Sequence, residues 1–210
     1  MKLRTILCLI IMFNFNFVKS QIKDRSYQNE NFELISEIEF NTLSYKKNYS
    51  FNVYEGETEI LKILYKRKKT GKLSDNDFEI LKQSLKSKGN ILNKLTVIIF
   101  YPGLDECNFK NENSQWTIFD SDYLRNLNKF SKNNHFWIYK SDENLQYYYP
   151  KKINWQLDDN LTIENIFFKM HYPCFSFVVI DNFGNYIANF GEFGKHTVWE
   201  YSKELLSIKE

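Results

Sequence analysis

Tyr172-Pro173-Cys174-Phe175-Ser176-Phe177-Val178-Val179-Ile180-Asp181, followed at once by Asn182-Phe183-Gly184-Asn185, is the stretch that decides the fold. Its middle is nearly continuous apolar sequence, as expected of a strand covered on both faces. Pro173 stands at the strand's entrance, where a missing N–H removes no ladder bond. Asn182 to Asn185 carry hairpin chemistry, so residues 186–190 read as an antiparallel return strand. A last helix over 196–208 packs Val198, Leu205 and Leu206.

Working back from that segment, Leu95-Thr96-Val97-Ile98-Ile99-Phe100-Tyr101 has the same doubly buried texture. A helix over 120–132 turns Leu124, Leu127 and Phe130 inward. His135-Phe136-Trp137-Ile138-Tyr139 is the next strand, and a short helix follows an aromatic loop at 162–169. Parallel strands joined by helices and closed by a hairpin predict three layers, with helices on both faces of the sheet. Before residue 91 the texture changes. Residues 33–40 and 49–54 have weak strand character. Ile60, Leu61, Leu64 and Tyr65 fall at helical spacing and predict a helix over 57–69, with Gly71 as its stop. Ser74-Asp75-Asn76-Asp77 caps a second helix carrying Phe78, Leu81 and Leu85 and ending near Gly89.

The first twenty residues carry the three parts of a secretory signal peptide: Lys2 and Arg4, an apolar run from Ile6 to Val18, and a small residue at Ser20. Cleavage is expected between Ser20 and Gln21. The run is shorter than the roughly 20 apolar residues a span needs and is broken by Asn14 and Asn16. It therefore predicts a soluble exported protein, periplasmic or secreted, with no stable membrane span after cleavage. The composition is 43% hydrophobic and 18% aromatic at a net charge of +2, which supports a substantial core and argues against a nucleic-acid partner. The one basic run, Lys66-Arg67-Lys68-Lys69, reads as the C-terminal end of the predicted helix, where cations meet the negative end of its dipole. Two of the three cysteines, Cys107 and Cys174, lie beyond the cleavage point, and an even pair in an oxidising compartment is a candidate disulfide.

The element order resembles the thioredoxin fold over residues 91–208, and Tyr172 to Asn185 is its most specific match. The resemblance implies an α/β three-layer sandwich, β-α-β-α-β-β-α, with Pro173 as the cis-proline ahead of the third core strand. On this division, residues 1–20 are the signal peptide, 21–90 a mainly helical appendage with two short helices, and 91–210 the thioredoxin-like domain. The departures are specific. Redox members of the family carry Cys-x-x-Cys after the first strand, at a helix N-terminus that lowers the thiol pKa. The stretch from Tyr101 to Lys110 holds a single cysteine, Cys107, with Lys110 where a second would stand. No carboxylate lies in residues 95–100. Phe100-Tyr101-Pro102 followed by Asp105 and Cys107 is also similar to the peroxiredoxin branch, with Arg125 as the partnering arginine, but that branch's threonine is missing.

In the implied fold the loops carrying Cys107 and Cys174 are neighbours at one end of the sheet. Three states follow: a structural disulfide, an exchangeable pair in which Cys107 attacks and Cys174 resolves, or two separate thiols. Asp105 and Glu106 form an acid/base pair or a solvated helix start, and His171 and Tyr172 lie beside Pro173. Tyr147, Tyr148 and Tyr149 with Trp155 are a binding surface or an edge cover. His135, His171 and His196 have no metal-like spacing, and neither a metal nor a cofactor is expected. The first functional reading is a redox-inert binding or structural protein with an unidentified protein partner. The alternatives are a thiol–disulfide oxidoreductase using Cys107 and Cys174 and a thiol peroxidase using Cys107.

Overall fold

The computed structural model describes residues 23–89, 93–108, 116–148 and 153–208. The stretch read as a signal peptide, including the cleavage after Ser20, lies outside the described residues, as do Lys110 and Tyr149. In chain order the elements are β1 (Asp24–Gln28), α1 (Glu37–Ser44), β2 (Tyr49–Glu55), β3 (Glu59–Lys66), β4 (Lys68–Lys72), α2 (Asp75–Lys86), β5 (Leu95–Tyr101), α3 (Tyr123–Phe130), β6 (Asn133–Tyr139), β7 (Trp155–Leu157), α4 (Thr162–Phe167), β8 (Ser176–Asp181), β9 (Asn185–Asn189) and α5 (Lys195–Ser207). They build an α/β structure with two mixed sheets. One is three-stranded, ordered β1-β3-β2; the other is six-stranded, ordered β4-β9-β8-β5-β6-β7.

Every residue of β5 is buried, because its side chains alternate between two cores. Leu95, Val97, Ile99 and Tyr101 face a layer that includes Leu127 of α3 and Val198 and Leu205 of α5. Ile98 and Phe100 face Leu81 and Leu85 of α2, Ile163 and Phe167 of α4, and Ile63 and Tyr65 of β3. Full burial of each such side chain stabilises by about 1.5–3 kcal/mol.

The helix expected over 57–69 is instead the strands β3 and β4. Ile60, Leu61, Leu64 and Tyr65 fit a helical stripe, but a strand buried on both faces fits them as well. Ile63 and Tyr65 enter the core shared with α2 and α4, while Leu64 packs on Tyr27 and Phe40 beneath α1. The hairpin partner β2 and the more distant β1 decide between the two. The weak strand expected over 33–40 ends in α1, whose Ser36 caps Glu39 N. Residues 23–72 are therefore chiefly strand rather than mainly helical, and β4 pairs with β9 as an edge of the larger sheet. Gly71 is not a helix stop: the Tyr186 ring lies across it, and a Cβ there would come within 2.7–2.9 Å of ring atoms. The second predicted helix is present as α2, with Ser74 accepting from Asp77 N. Leu124, expected to face inward, is exposed on α3, and Tyr123 is buried beside Leu127 in its place.

β8 runs antiparallel to β5, not parallel as the strand–helix alternation suggests. The six-residue α4 rises only about 9 Å. The irregular chain from Phe168 to Phe175 then delivers β8 at the end of the sheet where β5 finishes, with Ser176 opposite Phe100.

His135, on β6, titrates in a way the fold resists. Its Nε2 and the Tyr123 hydroxyl share a hydrogen bond of 2.7 Å, and its Nδ1 has no partner among the described residues. Burial pushes the imidazole down to about 3 from an ordinary 6.5. The unfolded chain therefore takes up a proton that the folded chain refuses, and stability falls as pH drops below about 6.5 towards 3, by about 1.4 kcal/mol per unit. Urea unfolding is expected to show His135 contributing a loss of about 2 kcal/mol at pH 5. His135→Gln, which keeps an acceptor for Tyr123, should flatten that slope; an unchanged slope would assign it to other groups.

Candidate functional site

The two cysteines meet where β5 ends and β8 begins. Cys107 and Cys174 stand at disulfide-bonding distance, with a Cα–Cα separation of 5.1 Å across 67 positions of sequence. Their exposure differs. Cys107 is exposed, whereas Cys174 is 7% exposed and packs in the main core.

Asp105 organises both cysteines. Its Oδ1 accepts the backbone N–H groups of Cys107 and Asn108, each at 2.9 Å. Its Oδ2 accepts the N–H of Cys174 at 2.8 Å and meets His171 Nε2 at 2.9 Å. Burial works against ionisation of this carboxyl. The bonds from His171 and from the Asn108 and Cys174 N–H groups outweigh it and hold the pKa below the ordinary 3.8. Asn108 completes the loop: its buried side chain accepts Asp105 N–H at 2.9 Å and donates to the carbonyls of Gly103 and, at 3.4 Å, Cys174.

Pro173, expected as a cis-proline, is trans; among the described residues no peptide bond is cis. Cys174 makes the reversal instead. It adopts a left-handed conformation with φ 68°, which aims its N–H at Asp105 and costs a non-glycine residue roughly 1–2 kcal/mol. On either side of that turn the chain alternates. Tyr172 points away from the cysteines, stacked on Phe190 at 4.3 Å and edge-on to Tyr65 at 4.9 Å. His171 points towards them.

A cleft of about 760 Å³ opens over Cys107, between β2 and the loop of Asp105, Glu106 and Cys107, with His171 and Pro173 in its wall. The strand β2 is fixed there by Asn52, whose buried amide donates to the His171 carbonyl at 2.7 Å. Phe51 and Val53 remain exposed along it. Glu106 lines the cleft, exposed, outside the Asp105 network. Arg125 is exposed on α3 and is not part of the cleft wall. The site thus gathers Cys107, Cys174, Asp105, Glu106, His171 and Pro173, and turns Tyr172 away. Trp155 is buried in the main core, in edge contact with Trp137, rather than on a surface.

Sequence reasoning missed Asn52 and Asn108. Asn108 carried a signal, since an Asp and an Asn three residues apart around an irregular segment favour side-chain-to-backbone turns. Asn52 carried none, because its role depends on β2 docking 119 positions from its partner. Among the described residues no group of three His, Cys, Asp or Glu side chains is placed to hold a metal ion. No helix among them is long and apolar enough to cross a membrane. Set against known proteins, the chain matches no family model, no curated protein and no solved structure.

Asp105→Ala would leave three backbone donors without their charged acceptor. The expected loss is roughly 3 kcal/mol, read by urea unfolding above pH 5, where the native carboxylate is ionised. It should shrink as pH falls through and below 3.8, since a depressed carboxyl stabilises only while ionised.

Proposed function

We propose that this protein is an exported thioredoxin-like protein whose Cys107 and Cys174 exchange a disulfide with thiols of other proteins. Three observations support the thioredoxin-like reading: the strand order β6-β5-β8-β9, the single parallel pair β5 and β6 within it, and helices on both faces. The N-terminal sequence supports export.

The observation that carries the exchange is asymmetry. Cys107 is exposed in a cleft while its partner is shielded in the core. Structural disulfides resist reduction, whereas exposed ones are the labile and catalytic ones. A substrate thiolate attacks Cys107 Sγ, the bond to Cys174 breaks, and Cys174 leaves as a thiolate that takes up a proton. A second substrate thiolate then attacks the substrate sulfur of the mixed disulfide and releases Cys107. The substrate dithiol is oxidised to a disulfide, the protein pair is reduced, and the reverse sequence reduces a substrate. His171, held by Asp105, is the imidazole beside these steps. The ionised Asp105 disfavours a neighbouring thiolate, which places the pair towards the reducing end of exchange proteins.

A second reading has its own support. Closing 67 positions of chain stabilises by about 4 kcal/mol in the chain-entropy model, so the pair also serves as a staple for a binding protein.

Non-reducing peptide mapping followed by titration in graded thiol buffers separates the readings. Exchange predicts a Cys107–Cys174 link that opens in the folded protein between about −120 and −270 mV. Cys107→Ser should abolish mixed-disulfide formation with a model dithiol peptide. A link that opens only on unfolding would leave the staple.

A further inference from the structure

We propose that a second cavity, on the other side of the 170–174 segment from the cysteine cleft, binds a free single-chain anionic amphiphile: an acyl tail carrying a carboxylate or a group of like charge. The cavity has a volume of about 350 Å³ and lies between the junction of β3 and β4, the loop at 30–32, and the chain from 166 to 172. That volume falls within the range of small-molecule sites, which pair apolar walls with a few placed polar groups.

The inner part of the wall is apolar, while Asn31 and Thr70 add polar groups to the lining. Phe167, Met170, Tyr172 and Phe190 all contribute and all are buried. The rim is cationic. Lys66, Lys69 and Lys169 line it and are exposed, and none of them meets a carboxylate among the described residues. Lys68 also borders the cavity but is bound to Glu204 at 2.6 Å. Glu30 is the single carboxylate in the lining, so cations outnumber anions there. Phe32 stands at the mouth, 54% exposed, with a left-handed φ of 64°. An apolar side chain held on strained backbone beside an apolar cavity is positioned to cover a tail.

Charge decides the ligand class. Three uncompensated ammonium groups around an apolar hole attract an anion and repel a cationic amphiphile of the same length. Three of the four residues of the basic run thus border a cavity, while Arg67 donates to the Glu192 carbonyl, a placement that follows from β3 and β4 being strands rather than a helix end.

Titration of the folded full-length mature protein with decanoate below its micellar concentration, by calorimetry, tests this. The expected result is saturable 1:1 binding, weakened at least tenfold in the doubly substituted Lys69→Gln/Lys169→Gln protein. Circular dichroism confirms that this variant is folded. Decyltrimethylammonium and decanol should bind at least tenfold more weakly than decanoate. Equal binding of the three probes, or full decanoate binding by the folded variant, would overturn the proposal. So would sedimentation with phosphatidylglycerol vesicles without saturable uptake of free decanoate, which would make the lysines a membrane-contacting surface.

Discussion

The burial of β5 on both faces is the constraint from which the rest of this molecule follows. A strand with Leu95, Val97 and Ile99 on one side and Ile98 and Phe100 on the other has no wet face, so each side requires a complete cover. Helices α3 and α5 supply one. On the opposite side, α2 and the short α4 do not suffice, and Ile63 and Tyr65 of β3 fill the remainder. Recruiting β3 as cover brings its neighbours with it. Its partner β2 then lies against the end of the sheet where the cysteines meet, and the cleft above Cys107 is a consequence of how the core is closed. Packing of the N-terminal segment and access to the sulfur atoms are in this sense one problem.

The chain from Met170 to Cys174 shows how tightly the two are joined. Met170 and Tyr172 bury their side chains in the core behind the sheet, while His171 and Pro173 face the cleft. This is the alternation of extended backbone with a different environment on each side. Cys174 ends the alternation by adopting left-handed backbone, and the Asp105 carboxylate receives the N–H that this turn exposes. The carboxylate accepts two hydrogen bonds from its own loop and meets two partners in the 171–174 segment, and so ties together distant parts of the sequence.

Much of the large sheet was legible because its signals are local. Fully apolar runs, a hairpin at Asn182 to Asn185, and capped amphipathic helices such as the one begun by Ser74 depend on neighbours in sequence. The N-terminal segment was less so, because beside the β2–β3 hairpin its pairing of β1 with β3 and of β4 with β9 joins residues far apart in sequence. The spacing of Ile60, Leu61, Leu64 and Tyr65 satisfies a helical stripe and a doubly buried strand alike, and only β1 and β2 resolve the choice. The site followed the same division. The nearness of Cys107 and Cys174 was implied by element order, and Asp105 and His171 were noticed for lying near them. What escaped was the job each does. By sequence Asp105 is an acid/base candidate or part of a solvated helix start, whereas its carboxylate accepts backbone donors from two loops. Asn52 acts through a contact 119 positions away, which no pattern in the chain foretells.

The electrostatics of the two cavities give the proposed exchange its character. A net charge of +2 suggests an even surface, but the signs are sorted. Glu55, Asp105 and Glu106 line the cleft over Cys107, while Lys66, Lys69 and Lys169 rim the cavity behind it. In a protein that tunes a thiol with a positive helix end, the thiolate is favoured and the disulfide is correspondingly oxidising. Here the charge bonded to the N–H groups of both cysteines is negative. Asp105 cannot be removed to relieve this without releasing the backbone donors that hold both cysteines in place. Architecture and chemistry thus pull on one carboxylate, and the architecture prevails: the same bonds that bring the sulfur atoms together oppose their parting as thiolates.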